Sequence, residues 1–279
     1  MHATVIILYE PSEGERSNVS RFAQANEGIL IDNSSAACFQ ASTVGRMRYV
    51  WLGGNKGIAS AQNKAVRLLL GEGKYDQIVF LDQDSRVDSD YPEKIVKEMI
   101  RAAGEVSDVG IIGPLVVNRQ SDEVYASSIH KDRFIGTDLI ERGFVISSGS
   151  CVSAAVLQRV GLADDRLFID YVDSEWCWRA KAKGYRSVVT CRLRMSHQVG
   201  RRLIHIGPFR DIVSAPFRYE YQFRNYLWLL RRQYVPRAWK VATGIKFAIR
   251  LFYLPWIKNG LSSWRYAWKG ICKGLITPN

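Results

Sequence analysis

The tripeptide Asp82-Gln83-Asp84 is the sharpest chemical signal in the sequence. It directly follows Gln77–Leu81, a short apolar run that predicts a buried strand. Two carboxylates two residues apart can meet one hard cation, and oxygen ligands suit Mg²⁺ or Mn²⁺. Such an ion usually keeps some water and binds substrate phosphates as well as one or two carboxylates. The alternative is an aspartate-rich turn, which is common after strands.

Two other loops have residue types that a nucleotide could use. Asp32-Asn33 follows a short strand and could accept a hydrogen bond from the N–H of a pyrimidine base, although the pair alone is more often a turn. Gly54-Asn55-Lys56-Gly57 would let the backbone approach a nucleotide at the start of a helix, where anionic groups are favoured. The loop is neither GxGxxG nor GxxxxGK[ST], so the usual dinucleotide and P-loop motifs are absent.

Acidic and aromatic residues are concentrated in Phe168–Arg179. The carboxylates of Asp170, Asp173 and Glu175 fall within six residues. Asp173 or Glu175 could be a general base that removes a proton from an acceptor hydroxyl. The alternative for Asp173 and Glu175 is the first turn of a helix, where acids are favoured. His197 is a lone histidine, for which a structural role is the more common one.

Short apolar runs alternate with helical stretches over the first hundred residues. The predicted strands are Thr4–Tyr9, Gly28–Ile31, Met47–Leu52 and Gln77–Leu81, and later Val109–Val117 and Phe144–Ser147. The clearest predicted helices are Ile58–Leu70, one that starts at Ser89–Glu93, and Asp173–Lys183. The alternation predicts an α/β, Rossmann-like domain with a mostly parallel central sheet and flanking helices. Ligands of such sheets bind outside the carboxyl ends of the strands.

The basic charge is confined to one end of the chain. Of the 279 residues, 47% are hydrophobic, which excludes a wholly disordered chain. Residues 1–199 hold 24 basic and 25 acidic side chains, whereas residues 200–279 hold 15 and 2. From residue 216 onward the pattern is helical and aromatic. We therefore expect a catalytic domain over residues 1–205 and a basic, aromatic helical appendage over residues 206–279.

The five cysteines are scattered and form neither a CxxC pair nor a zinc spacing, so reduced thiols in a cytoplasmic protein are expected. We expect no signal peptide and no membrane-spanning helix.

These motifs, in this order, resemble family 2 glycosyltransferases of the GT-A fold, and most closely the bacterial rhamnosyltransferase branch. The resemblance covers about residues 3–235. The matched stretches are Thr4–Tyr9, Ile31–Ser34, Gly54–Ala59 with Gln62-Asn63, Phe80–Ser85, Ser147–Ser150, Leu167–Arg179 with Gly184-Tyr185, and Tyr221–Asn225 with Leu230–Arg232.

The resemblance implies a nucleotide-sugar site. Its donor-binding residues would be Tyr9, Asp32, Asn55, Gly57, Asp82 and Gln83. Asp32 would hold the nucleobase, and Asp82 would contact ribose or phosphate. Asp84 and His197 would hold Mg²⁺ or Mn²⁺ at the diphosphate. After His197 the family usually continues x-x-Gly-x-Ser, but this chain has Gln198–Arg202, so its diphosphate contacts differ there.

The resemblance also implies an inverting, single-displacement transfer. Asp173 falls where the family keeps its catalytic base, with Gly149, Glu175 and Trp176 as acceptor-side or supporting residues. The favoured donor is dTDP-L-rhamnose and the acceptor a hydroxyl of a lipid-linked or cell-surface glycan. A UDP-sugar donor is the alternative. A nucleotidyltransferase or a non-catalytic membrane-bound protein would be the competing classes.

The basic tail has three interpretations. Lys, Arg and Trp at helical spacing suit a helix on an anionic membrane surface, which would place the protein at the inner face of the cell membrane. A nucleic-acid patch fits the charge alone, but no recognised nucleic-acid motif accompanies it, and no nucleic-acid partner is expected. The third interpretation is a helical appendage packed on the catalytic domain. Whether the chain forms a homo-oligomer is left open.

Overall fold

A computed structural model describes residues 1–118, 132–197, 203–206, 209–257 and 260–276. Within them the chain forms two compact units. Unit 1 comprises Met1–Phe168 and Val172–His197, and unit 2 comprises Ile169–Tyr171 and Gln198–Asn279. The three residues Ile169–Tyr171 thus belong to the second unit although the chain on both sides of them belongs to the first. The loop Gln198–Arg202, which the sequence singled out, lies outside the described residues.

Unit 1 is built on one ten-stranded sheet in the order β3-β4-β2-β1-β5-β9-β6-β10-β8-β7. The strands are β1 (His2–Leu8), β2 (Gly28–Asp32), β3 (Thr43–Val44), β4 (Met47–Trp51), β5 (Gln77–Asp82), β6 (Val109–Asn118), β7 (Arg133–Gly136), β8 (Leu139–Arg142), β9 (Cys151–Ser153) and β10 (Arg186–His197). The neighbours β4, β2, β1 and β5 are parallel, as the first hundred residues predicted. Strand β9 pairs antiparallel with both β5 and β6, so the sheet as a whole is mixed.

In the described part of unit 1, five α-helices flank this sheet. They are α1 (Glu13–Ala25), α2 (Ile58–Glu72), α3 (Tyr91–Glu105), α4 (Ala154–Val160) and α5 (Val172–Ala182), with a short 3-10 helix at Asp165–Leu167. Their starts have identifiable causes: the Ser12 and Glu15 side chains form a capping box at α1, and Pro92 lies in the first turn of α3. The predicted helices over 58–70 and 173–183 are confirmed to within two residues.

Strand alternation divides the core of unit 1 into two hydrophobic clusters, one on each face of the sheet. Ile78 and Phe80 of β5 pack into a cluster that also receives residues of α2 and α5. Val79 and Leu81 pack into the other, which receives residues of α1 and α3. Because side chains alternate along a strand, Asp82 continues the row of Ile78 and Phe80, on the face that α2 and α5 cover.

The predicted strand Phe144–Ser147 is wrong. These residues form no strand; the strand in this part of the chain is β9, which begins at Cys151. Val145 is 4% exposed and packs where a Cβ on Gly113 would clash with it, so the apolar run is buried without pairing to a neighbouring strand. Beyond it a tight turn with Gly149 at φ +78° prevents extended pairing.

Unit 2 is mainly helical, as predicted for the chain after residue 216. Its elements are β11 (Leu203–Ile206), β12 (Phe209–Ile212), α6 (Pro216–Leu230), α7 (Arg237–Tyr253), a 3-10 helix (Leu254–Trp256) and α8 (Gly260–Ile276). Helix α8 lies directly on α6, since a Cβ on Gly270 would come within 2.3 Å of the Glu220 carbonyl oxygen. The nearly buried Glu220 carboxylate pairs with Lys269 at 2.9 Å and Lys273 at 2.5 Å of α8.

The segment Ile169–Tyr171 is held by α6 within unit 2. Asn225, which is fully buried, donates from Nδ2 to the carbonyl oxygens of Ile169 and Asp170 at 2.9 and 3.1 Å. Arg218 makes a bidentate pair with the Asp170 carboxylate at 2.6 and 3.1 Å. No helix in the described part of the chain is long and apolar enough to cross a lipid bilayer.

Candidate active site

The loops that follow β1, β2 and β5 contact one another at the carboxyl ends of these strands. The side-chain amide of Gln83 makes two hydrogen bonds with the backbone of Tyr9. Its oxygen accepts from the Tyr9 N–H at 2.7 Å, and its nitrogen donates to the Tyr9 carbonyl at 3.2 Å. Glu10 accepts from the Ser35 N–H and hydroxyl at 2.9 and 2.7 Å. The Tyr9 side chain is half exposed and is therefore open to a ligand.

Asp32 is fully buried at the end of β2. Its carboxylate accepts hydrogen bonds from the Tyr49 hydroxyl at 2.5 Å, the Cys38 N–H at 2.7 Å and the Ser34 N–H at 2.9 Å. Burial alone would raise the pKa of Asp32, but these hydrogen bonds outweigh it and lower the pKa below its usual value. The charged carboxylate thus fixes the loop of residues 33–38, which covers it.

Asn55 and Gly57 lie in a second closed loop. Asn33 donates to the Asn55 side-chain oxygen at 3.0 Å, and the same oxygen accepts from the Gly57 N–H at 2.9 Å. Gly57 has φ +85°, and a Cβ there would come within 2.6 Å of the Phe168 ring. Only glycine fits that position, so the turn before α2 is determined by Gly57.

The carboxylates of Asp82 and Asp84 occupy different environments. Asp82 ends β5 and is partly buried, and its N–H donates to the Ser85 hydroxyl at 3.0 Å. Asp84 is exposed in the following turn, and no hydrogen bond or ion pair to it is found among the described residues. The described ranges contain no cluster of three or more ligating side chains. Two carboxylates suit Mg²⁺ or Mn²⁺, which take their remaining oxygen ligands from phosphates and water.

Asp173 is the second residue of α5 and is partly buried. Burial raises the pKa of this carboxyl to about 6, and the charge of Asp82 adds to the rise, whereas hydrogen bonds from the N–H and hydroxyl of Ser147 oppose it. Asp173 also lines a cavity of about 50 Å³ together with Asn63 and Phe80. The structure therefore brings Asp82 and Asp173, which lie 91 residues apart, close enough for their charges to interact.

Glu175 and Trp176 brace the start of α5. Glu175 is fully buried and pairs with Arg179 at 2.9 and 3.2 Å. Arg179 in turn donates to the carbonyl oxygens of Val160 and Leu162, both at 2.7 Å. The indole N–H of Trp176 donates to the Gly161 carbonyl at 2.8 Å. These contacts fix the helix α5, whose second residue is Asp173, on the chain at 160–162.

Gly149 lies in a turn beside β5. With φ +78°, it donates from its N–H to the Phe80 carbonyl at 2.7 Å and accepts from the Tyr91 hydroxyl at 2.7 Å. The remaining predicted ligand, His197, is the last residue of β10, and its side chain lies outside the described part of the structure. Sequence reasoning gave no role to Tyr49, Ser85 or Arg179, whose hydrogen bonds organise the predicted residues.

The comparisons with known proteins identify the family of this chain. The family model described as glycosyl transferase family 2 matches residues 17–161, which is 145 of the 279 residues. The chain therefore belongs to glycosyl transferase family 2 and is a glycosyltransferase. It is 29% identical over 246 residues to the dTDP-rhamnosyl transferase RfbF of Shigella flexneri, covering 83% of this chain and 80% of that protein.

Solved structures share the GT-A fold at low sequence identity. S. aureus TarS (residues 1–349) in complex with UDP-GlcNAc has a TM-score of 0.55 and 13% identity, over 95% of this chain and 79% of that chain. GalNAc-T7 with UDP, GalNAc and Mn²⁺ has a TM-score of 0.52 and 13% identity, over 71% of this chain and 44% of that chain. The expected fold class is thus confirmed.

We predict that Glu175→Gln lowers the free energy of unfolding by about 3 kcal/mol, because it removes one partner of a buried ion pair. Urea unfolding followed by circular dichroism measures the change. The matched control is Glu93→Gln, which removes one partner of an exposed i,i+4 pair with Lys97 and should leave the midpoint nearly unchanged. Equal midpoints for all three proteins would show that Glu175 does not brace α5.

Proposed function

We propose that the protein transfers L-rhamnose, with inversion, from dTDP-L-rhamnose to a hydroxyl of a lipid-linked or cell-surface glycan. Membership of the family and the similarity to RfbF support the donor. The observation that carries the chemistry is the position of Asp173 at the start of α5, in a cavity that is also lined by Phe80 of the strand that ends in Asp82. Transfer from a UDP-sugar is the second candidate, since TarS has the same fold with UDP-GlcNAc bound.

Asp173 acts as the general base in this proposal. It takes the proton of the acceptor hydroxyl while that oxygen attacks the anomeric carbon and the nucleoside diphosphate leaves from the opposite side. A carboxyl with a pKa of about 6 is mostly ionised at pH 7 and still basic enough to accept a proton. Burial serves this role because it raises the proton affinity of the carboxylate.

The donor lies along the loops after β1, β2 and β5 in this proposal. The residues in contact with the donor are Tyr9, Gln83, Asn55 and Gly57. Asp82 contacts its ribose or phosphate. Asp32 lies at the end of the donor-binding site where the nucleobase would bind. Because the Asp32 carboxylate is fully buried, we propose that it positions the loop of residues 33–38, and direct contact with the base requires that loop to shift.

The metal would be held by Asp84, with His197 as the second proposed ligand. The exposed Asp84 carboxylate leaves room for phosphate oxygens and water around an ion, which is the coordination that Mg²⁺ and Mn²⁺ prefer. When bound, such an ion stabilises the negative charge that grows on the leaving diphosphate. We assign the catalytic domain to residues 1–205 and the membrane-associating region to residues 206–279.

We predict that Asp173→Asn lowers kcat by roughly 10²–10⁴-fold, because an amide cannot accept the proton. The affinity for dTDP, measured by calorimetry with Mn²⁺, should change little. Asp138→Asn, at an exposed turn before β8, is the matched control and should keep full activity. Full transfer by Asp173→Asn would remove this residue from the role of base.

We predict that dTDP-L-rhamnose with Mn²⁺ raises the melting temperature more than UDP-GlcNAc does, because ligand occupancy stabilises the folded state. Asp84→Asn should lose the manganese-dependent part of this shift and keep the melting temperature of the free protein. A larger shift with UDP-GlcNAc would select the second donor. Undiminished turnover of metal-free protein in excess chelator would refute the metal role of Asp84.

Unit 2 supports the membrane proposal through its exposed apolar side chains. Phe252 and Trp256 are 81% and 85% exposed, and Ile276 near the end of α8 is 79% exposed. They lie in the stretch of sequence that holds 15 basic and 2 acidic residues. Apolar side chains among cationic ones are typical of a surface that binds anionic lipid. We propose peripheral association with the inner face of the cell membrane on this basis.

We predict that the protein co-sediments with phosphatidylglycerol vesicles at low salt and that Phe252→Glu with Trp256→Glu abolishes this, because the substitution removes apolar area and adds negative charge. Ile100→Glu, at a 63% exposed position of α3, is the control and should still co-sediment. Wild-type protein that stays in the supernatant would refute the membrane proposal.

A further inference from the structure

A cavity of about 700 Å³ lies between helix α1 and the segment 82–89 that follows β5, and we call it the α1 cavity. The residues of α1 that line it are three or four positions apart or adjacent, so they share one face of the helix. They are Asn18, Arg21, Phe22 and Ala25. Across from them, Arg86, Val87 and Asp88 line the cavity from the segment 82–89.

The segment 82–89 is fixed to the rest of unit 1 near both of its ends. The Gln83 side chain makes its two hydrogen bonds with the backbone of Tyr9 at 2.7 and 3.2 Å. At the other end, the buried Asn26 donates from Nδ2 to the carbonyl oxygens of Ser89 at 3.0 Å and Phe22 at 3.1 Å. The space between these two attachments is therefore a built feature of the fold.

Two guanidinium groups face the α1 cavity, one from each side. Arg21 lies on α1 and Arg86 on the segment 82–89. In the part of the chain that the structure describes, neither forms an ion pair or a side-chain hydrogen bond. By contrast, Arg46 of the same unit pairs with Glu27 at 2.5 Å. Guanidinium groups bind phosphate oxygens through paired N–H donors, so two of them at one cavity favour a phosphate-bearing ligand.

The most buried residues that line the α1 cavity are apolar. Ile6, Val19 and Leu81 are 3–4% exposed and belong to the hydrophobic cluster on this face of the sheet. The partly buried side chains of Phe22 and Val87 pack against the same cluster. A volume of about 700 Å³ lies within the range of small-molecule sites. The cavity thus has room and apolar surface for an organic group besides the phosphates.

We propose that the α1 cavity binds an organic diphosphate. Arg21 and Arg86 contact its phosphate groups, one from each side, and its organic group packs on Phe22 and Val87. Two cations on opposite sides suit two adjacent phosphates better than one. The burial of apolar surface supplies the rest of the affinity.

The α1 cavity is separate from the proposed donor site. Of the predicted site residues that the structure describes, only Asp82 and Gln83 line it. The alternation of side chains along β5 places Asp82 on the face that α2 and α5 cover, whereas the α1 cavity lies on the face that α1 covers. The inference therefore adds a second ligand site and does not depend on which sugar the donor carries.

The first test is calorimetry on the whole chain in EDTA with geranyl diphosphate, ADP and inorganic pyrophosphate. EDTA removes the metal through which the proposed donor site would hold a diphosphate. We expect an organic diphosphate to bind more tightly than pyrophosphate, because it also covers apolar surface. The tighter of the two organic probes shows whether the ligand is a prenyl or a nucleoside diphosphate. Pyrophosphate that binds as tightly as both would refute the apolar part of the site.

The second test removes the guanidinium groups. Arg21→Gln and Arg86→Gln should each weaken binding of the tighter probe by roughly ten- to hundredfold, because each loses charge-assisted hydrogen bonds. The matched control is Arg16→Gln, which changes the net charge equally at an exposed position of α1 that does not line the cavity. It should bind like the wild type. Equal weakening in Arg16→Gln would show general attraction between charges and refute the site.

Two further variants test the cavity without relying on the loss of an arginine. Asp88→Asn removes a negative charge that lines the cavity and should tighten binding by roughly two- to fivefold. Asp138→Asn, at the exposed turn before β8, is its control and should leave binding unchanged. Asn18→Phe fills the cavity at unchanged charge and should weaken binding. Melting temperatures show whether each variant is folded.

The outcomes separate this inference from the proposed function. No binding of any of the three probes in EDTA would refute the second site and leave the proposed transfer reaction intact. Wild-type binding by Arg21→Gln would place the diphosphate elsewhere and refute the site as well. Full activity of Asp173→Asn would refute the proposed base and leave the α1 cavity unaffected.

Discussion

The candidate site depends on the free-energy cost of ionising Asp173 in a partly buried position near the charge of Asp82. Asp173 is partly withdrawn from water near the negative charge of Asp82, and both effects disfavour its ionised form. Interaction with Ser147 lowers the pKa of Asp173 and offsets part of this cost. The balance leaves a carboxyl that titrates near neutral pH, and the surrounding packing keeps the two acids in place.

Several strands and helices could be predicted from the sequence because apolar runs and helical spacing are properties of short segments. Apolar runs identified β1, β2, β4 and β5, and helical spacing identified α2. The run Phe144–Ser147 shows where such a signal fails, because burial of Val145 came from contact with Gly113 and not from strand pairing. Strand β9 was too short, at three residues, for its pattern to be distinguished from a loop.

Candidate site residues can be proposed from the sequence where the chemistry lies in the side chains themselves. Asp82, Asp84 and Asp173 are acids next to strand or helix ends, and the family resemblance ordered them. What could not be predicted is the set of contacts between distant residues. Tyr49 lies 17 residues from Asp32, and Ser85 lies 63 residues from Ser148. Hydroxyl groups are common in any sequence, and only the folded chain shows which of them meet a carboxylate.

Asp32 and Asp84 show how the same residue type can occupy different environments after two strands of one sheet. Three hydrogen-bond donors surround the Asp32 carboxylate, so its charge is stabilised by groups of the protein itself. Asp84, in the turn that follows β5, is exposed to solvent. Spacing relative to a strand end does not separate these two cases, because the loop that follows determines whether the carboxylate is covered.

The close contact between α6 and α8 has a consequence for how unit 2 is assembled. The backbone of α6 lies where a side chain of Gly270 would be, and Gly274 repeats this one helical turn later against Leu227. A one-residue shift in the register of α8 would place Lys269 or Ile271, each with a Cβ, at the position of Gly270 beside the Glu220 carbonyl. The two glycines therefore select the observed alignment of α8 along α6, because a residue with a side chain at either position would clash with α6.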